Sequence, residues 1–107
     1  MAHRVSRQAE DDLDDIWLYV AKQSGSMEIA SRLVDSITSR FVFLAGFPWA
    51  GRSRYEDLGA GIRSFPAGEY VIAYCVDGAD VFVLRVTRGS RDLVRLLAQK
   101  VDYVDDH

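Results

Sequence analysis

Along the first quarter of the chain, apolar residues recur every three or four positions, which predicts an amphipathic helix. We expect this helix to begin at Arg7, with Ser6 as its N-cap, and to end near Gln23 before a turn at residues 24–26. Its apolar stripe consists of Ala9, Leu13, Ile16, Trp17 and Val20. The preceding residues, His3–Val5, are compatible with a short edge strand.

A second set of apolar positions at helical spacing predicts another helix behind Ser26. At its end we predict a left-handed cap at Gly46, a contact of Phe47 with the last turn, and termination by Pro48. Because only about three residues separate the two helices, they should form a helical hairpin. The apolar positions of the second helix are Ala30, Leu33, Val34, Ile37, Phe41 and Leu44.

After an irregular loop at residues 48–61, the apolar period changes to two, which indicates strands. The predicted strands are Ile62–Phe65, Glu69–Val76 and Val81–Arg88, with a turn at residues 66–68 between the first two. Asp77-Gly78 is a strong hairpin signal. The strand register stays open, because a two-residue loop and a four-residue loop would pair different positions.

A last helix is predicted behind Ser90, with Leu93, Leu96 and Leu97 facing inward. The resulting order is β-α-α-β-β-β-α, an α+β fold in which an antiparallel sheet packs against the helical hairpin, with a further C-terminal helix. We expect a single domain over residues 1–101 and a flexible acidic tail over residues 102–107.

The distribution of charge is more informative than the net charge of −3. Residues 46–100 carry eight cations against six acids, and all cations but Lys100 are arginines. The first helix and the tail are acidic, so the molecule is polarised. A single cysteine, Cys75, and the absence of a signal peptide or a long apolar run favour a cytoplasmic protein without a membrane segment.

Residues that could hold a metal or cofactor do not cluster in the sequence. His3 and His107 lie at opposite ends of the chain, and Cys75 stands alone in an apolar strand. The glycines of residues 59–61 precede a strand rather than a helix, unlike those of a phosphate-binding loop. We therefore expect no metal and no cofactor, and we interpret the acidic run Glu10–Asp15 as a solvated helix face.

Four arginines remain as candidates for a binding face, because guanidinium groups suit phosphate, carboxylate and aromatic partners. Each of them could instead pair with a nearby acid and serve only the structure. Trp49, beside Pro48 in the loop, is the best candidate for an exposed aromatic contact. The four arginines are Arg63, Arg85, Arg88 and Arg91.

Several stretches together resemble the ParE branch of the RelE/ParE toxin superfamily, also known as plasmid-stabilisation proteins. Residues 61–78 (GIRSFPAGEYVIAYCVDG) resemble the strand hairpin of ParE toxins, and residues 83–93 (VLRVTRGSRDL) resemble their last strand and its turn to the C-terminal helix. Residues 9–17 (AEDDLDDIW) are similar to the first helix of that family, and residues 47–52 (FPWAGR) to its Pro/Gly loop. The resemblance extends from Val5 to Leu97.

This resemblance implies the toxin of a type II toxin–antitoxin system, held inactive in a hetero-oligomer by a ParD-like antitoxin encoded beside it. The toxin would contact operator DNA only through the antitoxin. It would inhibit DNA gyrase as a protein inhibitor rather than as an enzyme. The implied gyrase-binding candidates are Arg63, Arg85, Arg88 and Arg91, and the antitoxin-binding candidates are Trp17, Asp14, Trp49 and Tyr70.

Two alternatives stay open. A RelE-type relative would cleave mRNA in the ribosome, but Val71 follows Tyr70 where RelE toxins place an arginine, and no Tyr or His follows Arg91 as far as Leu97. Only Tyr103, if the tail folded back, could supply the missing phenol. The chain could also be a non-toxic module that merely binds its antitoxin.

Overall fold

A computed structural model describes residues 2–89 and 91–97, and for Arg91 it describes the backbone alone. The α+β fold and the helical hairpin are as predicted. The predicted cap Ser90 and the predicted tail lie outside the described residues. The elements are β1 (His3–Val5), α1 (Arg7–Ser24), α2 (Met27–Gly46), β2 (Arg52–Ser53), β3 (Ile62–Ala67), β4 (Tyr70–Asp77), β5 (Asp80–Arg88) and α3 (Arg91–Leu97).

The strands form one sheet in the order β1-β5-β4-β3-β2. The meander from β2 to β5 is antiparallel, but β1 runs parallel to β5, with Val5 opposite Val83. The sheet is therefore mixed rather than wholly antiparallel, because the helical hairpin carries the chain from β1 across to the far side of the sheet. The two-residue strand β2 lies within the segment predicted to be irregular, and its Arg52 pairs with Ser64.

Ser6 and Ser26 cap the two long helices as predicted. The hydroxyl of Ser6 accepts the Ala9 N–H at 3.0 Å, and that of Ser26 accepts the Ile29 N–H at 3.1 Å. Ser6 is fully buried and also donates to the Leu84 carbonyl at 2.7 Å, which ties the start of α1 to β5. The first helix thus begins at a fixed point on the sheet.

The predicted left-handed cap at Gly46 is wrong. Gly46 is the last residue of α2, and the cap is Phe47, whose φ of −136° is negative. The Phe47 N–H donates to the carbonyls of Phe43 and Leu44, and its ring stacks on Phe43 with centroids 5.0 Å apart. The aromatic stack and Pro48 end the helix, so no positive φ is required.

The turns between strands differ from the sequence prediction by a few residues. Strand β3 continues through Pro66 to Ala67, so the turn lies at Gly68, whose φ is +64°. In the next hairpin Asp77 pairs with Asp80, which leaves a two-residue loop of Gly78 and Ala79 and fixes the register.

The hydrophobic core lies between the hairpin and one face of the sheet. A bulge in β5 shapes it: Ala73 pairs with Arg85 and Tyr74 with Val83, so Leu84 is the extra residue. The extra residue allows Val83 and Val86, three positions apart, to enter the same core. The helices contribute Ala9, Ile37, Phe41 and Leu44 to it.

The C-terminal helix α3 is attached through Leu93, which is fully buried, while Leu96 and Leu97 are half-buried. It packs mainly against β5. Within residues 2–89 and 91–97, no helix combines the length and the apolar character needed to cross a membrane.

Replacing Ser6 by Ala should lower the free energy of unfolding by about 1–3 kcal/mol, because a helix cap is lost and the buried Leu84 carbonyl loses its donor. Ser26→Ala is the matched control, because it removes a cap without a buried partner and should cost about 1 kcal/mol or less. Urea unfolding followed by circular dichroism measures both changes. Equal losses would contradict the role of the Leu84 contact.

Candidate functional site

Arg85 is engaged inside the molecule. Its Nε and Nη2 donate to the two carboxylate oxygens of Asp12, each at 2.8 Å, and the Val86 N–H donates to the same carboxylate at 2.9 Å. Both side chains are almost buried, with 11% and 13% exposed. The hydrogen bonds to Asp12 raise the pKa of the Arg85 guanidinium above its ordinary value. Arg85 therefore links β5 to α1, and its Nε and Nη2 donors are already used by Asp12.

Arg63 lies beside the Trp49 loop at the opposite edge of the sheet. Its Nε and Nη2 donate to the Gly51 carbonyl at 3.0 and 2.7 Å, and Nη2 also reaches the Trp49 carbonyl at 3.4 Å. The guanidinium lies over the Trp49 ring, 5.3 Å from its centroid. This arginine both holds the loop and keeps a cation against an exposed aromatic ring.

Tyr74 fixes the same loop from the core. Its hydroxyl accepts the Gly51 N–H at 2.9 Å and donates to the Pro48 carbonyl at 2.8 Å. Gly51 is packed so closely that a Cβ would lie 2.7 Å from the Ser64 carbonyl oxygen, besides colliding with Tyr74. The loop from Pro48 to Gly51 is therefore held in one conformation, with Trp49 at its tip.

Phe43, Phe47 and Trp49 form an exposed group that we call the aromatic patch. Their exposed fractions are 43%, 61% and 67%, although each ring is large and apolar. Phe65 supports Phe43 from beneath, with ring centroids 5.5 Å apart. The patch surrounds a hollow of about 450 Å³. The hollow is lined by Phe43, Gly46, Phe47, Pro48, Trp49 and Ala50.

Arg88 and Tyr70 meet in a second depression, which we call the α1–β5 cleft. Arg88 is exposed and pairs with Glu69 at 2.8 Å, and Tyr70 is 8% exposed. Burial raises the pKa of the Tyr70 hydroxyl above its ordinary value. The cleft has a volume of about 430 Å³. It is lined by Asp12, Asp15, Ile16, Tyr19, Tyr70, Val86, Thr87, Arg88, Asp92 and Leu96.

The structure does not bring the four candidate arginines into one patch. Arg63 pairs across the sheet with Tyr74, and Arg88 pairs with Tyr70. These tyrosines are separated by about 13 Å along β4, given a rise of about 3.3 Å per residue. Arg88 and the start of α3 at Arg91 are close in the chain, but the side chain of Arg91 lies outside the description.

The antitoxin-binding candidates also lie in different places. Trp17 is half-buried in the hairpin and donates from Nε1 to the Ser31 hydroxyl at 3.0 Å, while Asp14 is exposed on α1. Tyr70 lines the α1–β5 cleft, and Trp49 belongs to the aromatic patch. A partner that touched all four would have to extend around the domain.

The interpretation of residues 10–15 as a solvated helix face is wrong for Asp12, whose side chain is 13% exposed, and the burial of Arg54 was not predicted. Asp12 lies three positions after Ala9 and four before Ile16, a spacing that places it at the border of the apolar stripe rather than on the solvated face. Arg54 is 4% exposed and donates to Asp57 at 3.0 Å and to Ser64 at 3.0 Å. Its hydrogen bonds lower the pKa of the Asp57 carboxyl. No sequence pattern marks this arginine as buried.

Comparison with known proteins gives consistent matches over most of the chain. The family described as "ParE toxin of type II toxin-antitoxin system, parDE" matches residues 4–93. Toxin ParE3 of Caulobacter vibrioides is 34% identical over 95 residues, which cover 89% of this chain and 93% of the relative. Toxin ParE1 of the same organism is 35% identical over 88 residues, covering 82% and 88%.

A solved structure titled "Chromosomal ParDE TA system from P. aeruginosa" superposes with a TM-score of 0.73. The match covers 84% of this chain and 97% of the other, at 24% sequence identity. At that identity the similarity supports the fold alone.

Replacing Arg85 by Met should lower the free energy of unfolding by about 3 kcal/mol, because Asp12 would keep a nearly buried charge without its partner. The double variant Asp12→Asn with Arg85→Met should lose less stability than Arg85→Met alone, since no unpaired charge remains. Urea denaturation of the wild type, the two single variants Arg85→Met and Asp12→Asn, and the double variant gives the coupling free energy between the two residues. A double variant less stable than Arg85→Met would contradict this account.

Replacing Gly51 by Ala should destabilise the protein by about 2 kcal/mol or more, because the new Cβ meets the Ser64 carbonyl and the Tyr74 ring. Gly46→Ala is the matched control. It lies in a helix with open space around the Cβ position, so it should stabilise by up to about 1 kcal/mol. Thermal unfolding of both variants tests whether Gly51→Ala lowers the stability and Gly46→Ala raises it.

Proposed function

The chain belongs to the ParE toxin family of type II toxin–antitoxin systems, and from this premise we propose that it inhibits DNA gyrase and is neutralised by a ParD-like antitoxin. The observation that carries the proposal is the family match over residues 4–93, together with two relatives that are themselves named toxins. The proposed action is binding to the enzyme rather than a reaction of its own.

The surroundings of Tyr70 support an inhibitor over an mRNA-cleaving enzyme. A ribonuclease of this fold would need a proton-transferring group and free cations converging on the RNA. Tyr70 is only 8% exposed, so its hydroxyl is poorly placed to exchange a proton with a bound RNA. Arg85 of β5 is occupied by Asp12. Ribosome-dependent cleavage therefore remains the second candidate.

We retain Arg63, Arg88 and Arg91 as proposed gyrase contacts. Arg88 is 61% exposed in its side chain, so it can exchange Glu69 for a partner's carboxylate at little cost. Arg85 has a different proposed role, because it positions α1 and the wall of the α1–β5 cleft. The proposed antitoxin contacts are Trp17, Asp14, Trp49 and Tyr70.

Purified protein should abolish DNA supercoiling by gyrase while leaving message intact in a ribosome-dependent mRNA cleavage assay. Its induced expression should arrest bacterial growth, and co-expression of the antitoxin encoded beside its gene should restore growth. Cleaved message with normal supercoiling would establish the RelE-type activity instead. Normal growth with folded protein in the cell would identify a non-toxic antitoxin-binding module.

Replacing both Arg88 and Arg91 by Ala should raise the protein concentration needed for half-inhibition of gyrase about tenfold or more, because charge-assisted contacts to the target are lost. Arg32→Ala is the matched control, since Arg32 is an exposed arginine on α2 that pairs with Glu28. Circular dichroism should show native folding in all three proteins. Unchanged inhibition by the folded double variant would remove these arginines from the proposed site.

A further inference from the structure

The aromatic patch has the composition of a buried interface although it lies at the surface. Three large rings are 43–67% exposed around one hollow, and the residues that line the hollow carry no charge. Exposed apolar clusters of this kind mark binding sites in soluble proteins. The rings are also held in place, since the loop that carries Trp49 is fixed by Tyr74, Arg63 and Gly51. A fixed loop loses little entropy on binding.

Arg63 adds a charge to the margin of the patch. Its Nε and Nη2 are used within the loop, but among the described residues its Nη1 has no hydrogen-bond partner and no carboxylate forms an ion pair with it. The guanidinium also lies against the face of Trp49. An apolar hollow bordered by one cation with a spare donor is complementary to an apolar side chain beside a carboxylate.

We propose that the aromatic patch is the docking site for a segment of the antitoxin that inserts a large apolar side chain into the hollow and directs an Asp or Glu to Arg63. This inference rests on the proposed function, because it assumes that an antitoxin covers the protein. It adds the place and the chemistry of one contact.

Two other occupants fit the patch less well. In a two-fold contact with a second copy, the patch would face itself and bring two Arg63 guanidinium groups together without a carboxylate. A nucleic acid would present phosphates to a hollow whose lining is apolar. The acidic residues 102–107 of this chain have suitable composition, so the experiment must distinguish them from a partner.

Binding of the antitoxin encoded beside the gene should be measured by isothermal titration calorimetry with wild-type toxin and with Trp49→Ala. The Trp49→Ala variant should bind the antitoxin about 30-fold more weakly or worse, as expected for a central aromatic contact. Tyr55→Ala is the matched control, because Tyr55 is equally exposed (68%) but lies outside the hollow. That control should bind within about threefold of wild type.

Fluorine NMR of protein labelled with 5-fluorotryptophan locates the contact, because the chain has only two tryptophans. The resonance assigned to Trp49, by its absence in Trp49→Phe, should shift when the antitoxin binds. Overlapping antitoxin peptides should then identify a segment that reproduces the shift. Changing the Asp or Glu of this segment to Asn or Gln should weaken binding of the peptide to the toxin about tenfold.

Several results would overturn the inference. An antitoxin that binds Trp49→Ala within threefold of wild type and leaves the Trp49 resonance unchanged would show that it docks elsewhere. A Trp49 shift on removal of residues 102–107 from the free toxin would assign the hollow to this chain's own tail. A change in sedimentation of the isolated toxin on Trp49→Ala would assign it to a second copy. If changing the peptide's Asp or Glu to Asn or Gln left its binding unaffected, Arg63 would not be the partner of that carboxylate.

These outcomes are separate from a failure of the proposed function. If the wild-type protein neither inhibited gyrase nor slowed growth, the toxin assignment would fail, whereas the calorimetry and NMR would still report on the patch. If the wild type were toxic and neutralised, but the patch variants bound normally, only the inference about the patch would fail.

Discussion

The ion pair of Asp12 with Arg85 is the interaction on which the arrangement of helices and sheet depends. Strand β1 pairs with β5 only as far as Val83, so the edge beyond it would leave peptide groups without partners. Asp12 accepts the Val86 N–H and two guanidinium N–H groups, which satisfies a nearly buried carboxylate. The same contact draws α1 onto the sheet and forms one wall of the α1–β5 cleft.

The opposite edge of the sheet is held by hydrogen bonds to backbone groups rather than by an ion pair. There, Tyr74 reaches out of the core to hold the loop after α2, and Arg63 binds the loop carbonyls from the side. The two edges are thus specialised differently, one with an ion pair beneath a cleft and the other with a fixed loop beneath exposed rings. A partner that used both surfaces would have to pass around the domain, which suits an antitoxin that folds on binding.

The elements were predictable because periodicity, caps and turn residues agreed over most of the chain, as at Ser6 and Ser26. The exceptions have physical causes. The sequence predicted a left-handed cap at Gly46. In the structure the helix ends with Phe47 stacked on Phe43, so no left-handed residue is needed there. The parallel direction of β1 and the small strand β2 depend on contacts distant in sequence, which no local pattern encodes.

The candidate site was harder to predict than the fold. Sequence reasoning identified arginines of suitable chemistry, but it could not show that Arg85 is occupied by Asp12, 73 positions earlier in the chain. It selected Trp49 correctly as an exposed aromatic residue, because the loop context favours exposure. It did not identify the hollow, since that feature arises from the meeting of the end of α2 with β3.

Pro66 affects how readily the edge of the sheet can pair with another copy of the protein. The Ile62 carbonyl bonds outward to Arg54, and alternation along β3 turns the backbone nitrogen of Pro66 toward the same outer edge, where proline has no hydrogen to donate. Asp12 occupies the corresponding N–H of Val86 at the other edge. Asp12 thus occupies one backbone N–H at one margin of the sheet and Pro66 lacks one at the other, so edge-to-edge pairing between copies is less favourable at both places.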